Sequence, residues 1–160
     1  MIKNLKIPEK RIGVLKSCLP LLEKRTDTKL SFEEGNVRIE GEALKVWETK
    51  DVVKAIGRGF SPEKAFSLLE GNVLYVINLK DYEKTDKGIR RVKSRIIGRE
   101  GKTRNKIEEI SGCMLSVYGK TVSIIAASEK ISSVRAGIEM LINGSKHNKV
   151  YNYFQRCFHG

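Results

Sequence analysis

The sequence predicts an α+β fold, an alpha/beta sandwich in which each of two tandem units packs a three-stranded sheet on helices. Three observations carry this expectation: a repeat at one fixed offset through the 160 residues, the same order of strand and helix patterns in both copies, and glycines at element boundaries.

Offset by 85 positions and without a gap, residues 11–59 align with 96–144, and nine pairs are identical. They include Ile12 with Ile97, Gly13 with Gly98, Glu23 with Glu108, Leu30 with Leu115 and Val37 with Val122. Apolar character is kept in Leu22 with Ile107, Val53 with Ile138 and Ile56 with Leu141. A register that preserves glycines and apolar positions together points to a duplicated unit. The expected units are 1–71 and 72–160.

In the second copy, Val73–Leu79 is rich in Val, Ile and Tyr and reads as a strand. Ile89, Val92 and Ile96 then recur at helical spacing until Gly98. After Gly98-Arg99-Glu100-Gly101, residues Lys102–Ser111 read as a helix with Ile107 and Ile110 on one face, capped by Gly112. Strands Cys113–Val117 and Thr121–Ala126 flank the turn Tyr118-Gly119-Lys120. Ser128 reads as the N-cap of a last helix striped by Ile131, Val134, Ile138 and Leu141.

The first copy repeats the order. A strand lies near Leu5–Ile7, helices around Glu9–Val14 and Leu21–Arg25, strands at Thr28–Phe32 and Val37–Glu40, and a helix at Leu44–Ile56. Ser61-Pro62-Glu63 combines an N-cap, a proline at the first helical position and an acidic first turn. It opens an extra helix over 61–70 with Phe66 and Leu69 inward.

Composition narrows the class. With 40% hydrophobic residues the chain is too apolar to be a disordered tail. No stretch approaches about 18 consecutive apolar residues, and Met1-Ile2-Lys3-Asn4 leads into a charged segment instead of a signal core. Neither a membrane span nor an export signal is expected, and the cytoplasm is the expected location. Cys18, Cys113 and Cys157 are odd in number and lack CxxC spacing, which argues against disulfides and structural zinc. They read as small buried hydrophobes.

The net charge of +12 is uneven. Residues 1–71 carry 14 basic and 11 acidic side chains, net +3, and residues 72–160 carry 17 and 8, net +9. Lys84–Lys106 alone holds ten basic residues against Asp86 and Glu100, dense enough to hold a polyanion by counterion release. A solvated basic helix face would look the same, so something besides charge must decide.

The glycine loop decides it. Between two helices, Gly98-Arg99-Glu100-Gly101 brings backbone N–H groups and a helix N-terminus together where a phosphate fits. A side chain at either glycine would hold the sugar-phosphate chain away, while Arg99, Lys102 and Arg104 supply charge. The candidate RNA-binding residues are Arg95, Ile97, Gly98, Arg99, Glu100, Gly101, Lys102, Thr103, Arg104 and Lys106, with Lys120 on the short turn closing the groove from the other side. This combination resembles the K-homology (KH) domain of type I topology, whose loop grips about four single-stranded nucleotides beside an apolar groove that reads bases.

The first copy departs from that pattern. Gly13-Val14-Leu15-Lys16 keeps the leading glycine but has Lys16 opposite Gly101, and Pro20 opposite Asn105. The copy is expected to be a degenerate KH-like domain, binding RNA weakly or not at all and used for packing or a protein partner. The alternative is a lone phosphate contact by Lys16.

Three further segments narrow the resemblance: Ala55–Ala65, which contains Gly57-Arg58-Gly59-Phe60-Ser61-Pro62-Glu63; Arg95–Arg104; and Val117–Val122. With them nearly the whole chain is similar to the archaeal and eukaryotic two-KH ribosome-assembly proteins of the Dim/Pno type. The short length resembles the archaeal members. The resemblance implies binding of single-stranded RNA at the 3′ region of small-subunit (16S) rRNA during maturation. It also implies cooperation with a PIN-domain rRNA endonuclease and, in archaea, contact with the alpha subunit of translation initiation factor two.

Two aromatic features stay open on sequence. Val150, Tyr151, Phe154 and Phe158 have helical spacing and suit a last helix packed on the second unit, but Tyr151 or Tyr153 could instead stack on a base and His147 contact RNA. Trp47 reads as buried between the units in preference to a stacking platform.

No catalysis is expected. The two histidines, His147 and His159, both lie in the terminal segment, and no nucleophile elbow, Walker A loop, HExxH or metal-spaced Cys/His set occurs. Glu108 and Glu109 are helix neighbours that do not face one another, and they read as a solvated face. No cofactor is implied. Membrane-surface binding is disfavoured because the apolar residues of 84–106 are used in the core. A protein adaptor, or a general RNA-binding factor in translation initiation held by charge alone, is the alternative function.

Overall fold

The computed structural model describes residues 1–159. Their contacts separate into two compact units, Met1–Asn72 and Val73–Gly160.

The first unit runs β1 (Ile2–Lys6), α1 (Glu9–Ser17), α2 (Leu19–Thr26), β2 (Lys29–Glu33), β3 (Asn36–Glu40), α3 (Ala43–Gly57) and α4 (Pro62–Phe66), then a 3-10 turn over Ser67–Glu70. Its sheet has the order β1-β3-β2, antiparallel throughout, with Leu5 and Phe32 both opposite Val37. Along β3 the period of two is strict: Val37 and Ile39 are fully buried, while Asn36, Arg38 and Glu40 face outward. Leu15, Leu22, Val46, Val53 and Ile56 from the helices complete the buried set.

The second unit runs β4 (Asn72–Asn78), a 3-10 turn over Leu79–Asp81, α5 (Asp86–Ile97), α6 (Lys102–Ser111), β5 (Met114–Tyr118), β6 (Thr121–Ala127), α7 (Ser128–Ile142) and α8 (His147–His159). Its sheet order, β4-β6-β5, matches that of the first unit strand for strand. Ile96, Ile107, Ile124, Ile138 and Leu141 are fully buried in one cluster, each contributing about 1.5–3 kcal/mol of transfer free energy. Helix α8 lies on α6 and α7 with Val150 and Phe154 fully buried. Gly137 of α7 permits that approach, since a Cβ there would come within 2.5 Å of the Phe154 ring.

The architecture is the α+β arrangement that the sequence predicts, with local differences. Ser128 is the first residue of α7 and makes no side-chain cap bond; Ala127 holds the cap position. Leu79 opens the 3-10 turn in place of ending the strand, and its N–H donates to the Lys120 carbonyl at 2.9 Å. The extra helix is shorter than 61–70: Ser61 Oγ caps it, accepting the Lys64 N–H at 3.4 Å, Phe66 is buried, and Leu69 is half-buried in the 3-10 turn.

Two side chains stand elsewhere than the sequence reading puts them. Trp47 is 49% exposed, with Lys50 Nζ 3.9 Å and Lys3 Nζ 5.5 Å from its ring centre. It is one position beyond Val46, hence about 100° round the helix from the buried stripe. Cys18 and Cys113 are buried, but Cys157 is exposed on the outer side of α8. No helix among the described residues is long and apolar enough to cross a membrane.

Candidate nucleic-acid interface

Helix α5 is built to deliver the loop. Thr85 Oγ1 caps it, accepting the Gly88 N–H at 3.0 Å, and Asp86 sits in its first turn. Ile89, Val92 and Ile96 face the core, while Lys87, Arg90 and Arg91 are exposed. The helix stops at Gly98, whose φ of 75° and ψ of 174° lie in a region that essentially only glycine occupies.

The two glycines are needed for different reasons. At Gly98 a Cβ would lie 2.7 Å from both the Cβ and the backbone N of Thr103, so the first turn of α6 fills that space. The sequence reading assigns this position to phosphate approach; its tighter constraint is internal. Gly101 has φ 77° and ψ 10°, and a Cβ there would meet only Asn105 Nδ2, at 3.9 Å. Open backbone surface in the loop is therefore at Gly101. Between them Glu100 also takes a left-handed conformation, φ 56°. The N–H groups of Gly98, Gly101 and Lys102 bond to the carbonyls of Ser94, Gly98 and Arg99. What remains to bind an anion is the loop tip and the first turn of α6, whose N–H groups have no partner within the helix.

Around this loop the candidate residues divide. Arg99, Glu100, Lys102 and Lys106 are exposed, and Ile97 is half-buried at the end of α5. Arg104 Nε lies 3.9 Å from Glu108 Oε1. Arg95 differs from expectation: its guanidinium donates to the carbonyls of Leu141 and Ser145, closing the end of α7. Thr103 is 4% exposed, and its hydroxyl oxygen accepts from the Tyr151 hydroxyl at 3.2 Å. Lys120 Nζ pairs with Asp86 Oδ1 at 3.1 Å, at the opposite end of α5, about 16 Å along the axis from the loop.

Tyr151 and His147 of α8 join the site. With Arg91, Arg95, Arg99 and Lys102 they bound a cavity of about 700 Å³ beside the loop. Helical spacing alone leaves their roles open, because the partner of Tyr151, Thr103, lies 48 residues away in the chain. Tyr153 is not available, since its hydroxyl donates to the Ser133 carbonyl at 2.9 Å.

The first unit has no such loop. Gly13–Lys16 lies inside α1, which runs on to Ser17, and the break between helices falls at Cys18. Leu15, opposite Glu100 in the repeat, is fully buried and draws the segment into the core. The neighbouring cavity of about 790 Å³ places Glu9, Glu33 and Glu34 alongside Lys6 and Lys16, and Lys16 Nζ lies 5.1 Å over the Phe32 ring. Carboxylates of that number oppose a phosphate chain.

The chain is similar to known proteins in sequence and in fold. Residues 73–158 match a family described as eukaryotic type KH-domain (KH-domain type I). The chain is 42% identical to a KH domain-containing protein of Methanocaldococcus jannaschii, over 97% of this chain and 73% of that protein. It is 29% identical to the pre-rRNA-processing protein PNO1 of Chaetomium thermophilum, over 94% of this chain and 63% of that protein. Among solved structures, Dim2p from Pyrococcus horikoshii OT3 superposes with a TM-score of 0.90 at 45% identity, covering 98% of this chain and 99% of that one. A chain in the a/eIF2alpha–aDim2p–rRNA complex from the same organism gives 0.91 at 44% identity, covering 99% and 94%.

Proposed function

The chain belongs to the Dim/Pno family of KH-domain RNA-binding proteins, and on that premise we propose that its second unit holds single-stranded rRNA at the glycine loop during small-subunit ribosome biogenesis. The observation that carries this reading is the pairing of the bare Gly101 surface with the basic run around it. A phosphate sits against the loop tip and the α6 N-terminus, while Arg99, Lys102, Arg104 and Lys106 neutralise its neighbours. Lys120, paired with Asp86 at the far end of α5, stands away from this contact. Arg95, held by the carbonyls of Leu141 and Ser145, and Thr103, packed beneath Gly98, brace the site from behind the loop.

The RNA is the 3′ region of 16S rRNA, before or during its maturation. A crystal structure of a relative contains rRNA and a/eIF2alpha, which supports that substrate and contact with the alpha subunit of translation initiation factor two. The protein positions RNA in the cytoplasm and performs no cleavage, which falls to a PIN-domain endonuclease. The first unit, lacking the loop, is the KH-like copy that meets protein partners; exposed Trp47 and Leu44 on α3 suit that role.

Titration of a 3′-terminal 16S rRNA oligonucleotide against a composition-matched scramble tests the reading. Preference for the native sequence is expected. Equal affinity for both RNAs would move the function to association by charge alone.

A further inference from the structure

The cavity between α5, the glycine loop, α6 and α8 is not the groove expected of a KH unit. At about 100° per residue, Arg91, Arg95 and Gly98 form one stripe of α5, and Lys93 and Ile97 form another on the opposite side of the buried stripe Ile89-Val92-Ile96. The loop therefore has two flanks. One flank carries Ile97, the apolar candidate residue, which we take as the side of the expected groove; the other is walled by His147 and Tyr151 in the first turns of α8.

We propose that this second flank is a base-binding subsite, in which a nucleobase next to the loop-held phosphate enters the 700 Å³ cavity and stacks on Tyr151. The ring is fixed in place before any ligand arrives. Its hydroxyl donates to Thr103 Oγ1 at 3.2 Å, the residue packed beneath Gly98, and Lys106 Nζ lies 4.4 Å over the ring. His147 stands 6.3 Å away, tilted by 54°, and its Nε2–H donates to the Arg95 carbonyl at 3.0 Å. Val150 and Phe154 hold α8 to the core, so Tyr151, half-buried, is not needed to fill it.

Charge selects the occupant. Among the described residues no carboxylate lines this cavity, and Arg91, Arg99 and Lys102 stand at it, in contrast to the first-unit cavity with its glutamates. A flat aromatic group carried on a phosphodiester chain matches a fixed ring inside a cationic rim, and the loop already holds the chain alongside. The subsite thus rests on the reading of the loop given above and extends the site by at least one nucleotide.

An abasic scan distinguishes the two. A single abasic nucleotide is moved along the 3′-terminal 16S rRNA oligonucleotide, and affinities are measured for the wild type, Tyr151→Leu, Tyr151→Phe and Ser94→Phe. Ser94 is an exposed residue lining the cavity, so its enlargement fills the space without disturbing the core. In the wild type, one position should cost about 5- to 100-fold in affinity when its base is removed. That cost should vanish in Tyr151→Leu and Ser94→Phe and persist in Tyr151→Phe. An undiminished cost in both Tyr151→Leu and Ser94→Phe, or no sensitive position beyond those of the expected groove, would overturn the subsite. Arg99→Asp/Glu100→Asp is the control for the loop: unchanged affinity in that variant would overturn the loop reading itself.

Discussion

Glu108 and Leu115 are joined by a hydrogen bond that ties α6 to β5, the Leu115 N–H donating to Glu108 Oε2 at 2.9 Å. In the first unit the Leu30 N–H donates to Glu23 Oε2, also at 2.9 Å. Helix-end hydroxyls repeat as well: Thr26 donates to the Leu22 carbonyl at 2.7 Å and Ser111 to the Ile107 carbonyl at 2.6 Å. The duplication thus extends to polar contacts. Glu108 is not part of a solvated face, as the sequence reading has it, whereas Glu109 is exposed.

Glu108→Ala leaves the Leu115 N–H without its acceptor and should lower stability by about 1–3 kcal/mol, with Glu23→Ala acting likewise in the first unit. Urea unfolding checks both. Losses within error at both sites would show that the repeated bond is incidental.

The two loop glycines should separate stability from binding. Gly98→Ala forces a residue into a glycine-only region and against Thr103, and should cost about 3 kcal/mol. Gly101→Ala meets no such obstacle and should cost about 1–2 kcal/mol from its left-handed backbone alone. Thermal melts combined with RNA titration test this. Gly101→Ala should bind RNA more weakly while still folded.

Restoring a glycine to the first unit should not restore a loop. Lys16→Gly places glycine inside α1, costing about 1 kcal/mol, and Leu15 remains buried in the core. RNA affinity measured for the Lys16→Gly protein should equal that of the wild type. A gain would mean that the missing glycine, and not Leu15, disables the copy.

Burial pushes the Cys113 thiol up from 9.0 to about 11. The folded protein therefore favours the neutral thiol, and this contribution is complete below pH 9 and lost as the pH rises through about 11. Stability should fall across that window by about 2–3 kcal/mol more in the wild type than in Cys113→Ala. Equal slopes in alkaline urea titrations would contradict the assignment.

The fold was legible because its signals are local. Period-two alternation in Val37-Arg38-Ile39, helical spacing in Ile89-Val92-Ile96 and the αL cap at Gly112 each act within a few residues. The loop was legible for the same reason. What stayed hidden depends on distant partners: Arg95 meets carbonyls 46 and 50 residues on, and Tyr151 meets Thr103 48 residues back. Nor could spacing reveal that α1 runs through Gly13–Lys16, because the cause is the burial of Leu15 in a core that α1 shares with α3, which begins only at Ala43.

The most direct test of the central claim is the salt dependence of RNA affinity for the wild type and Arg99→Asp/Glu100→Asp. Both substitutions lie in the exposed loop, so the fold should hold. The variant should bind at least about tenfold more weakly, and its plot of log affinity against log salt should be shallower by about 0.7 for each phosphate that the loop no longer neutralises. Identical affinity and slope in a folded variant would show that the glycine loop does not hold the RNA.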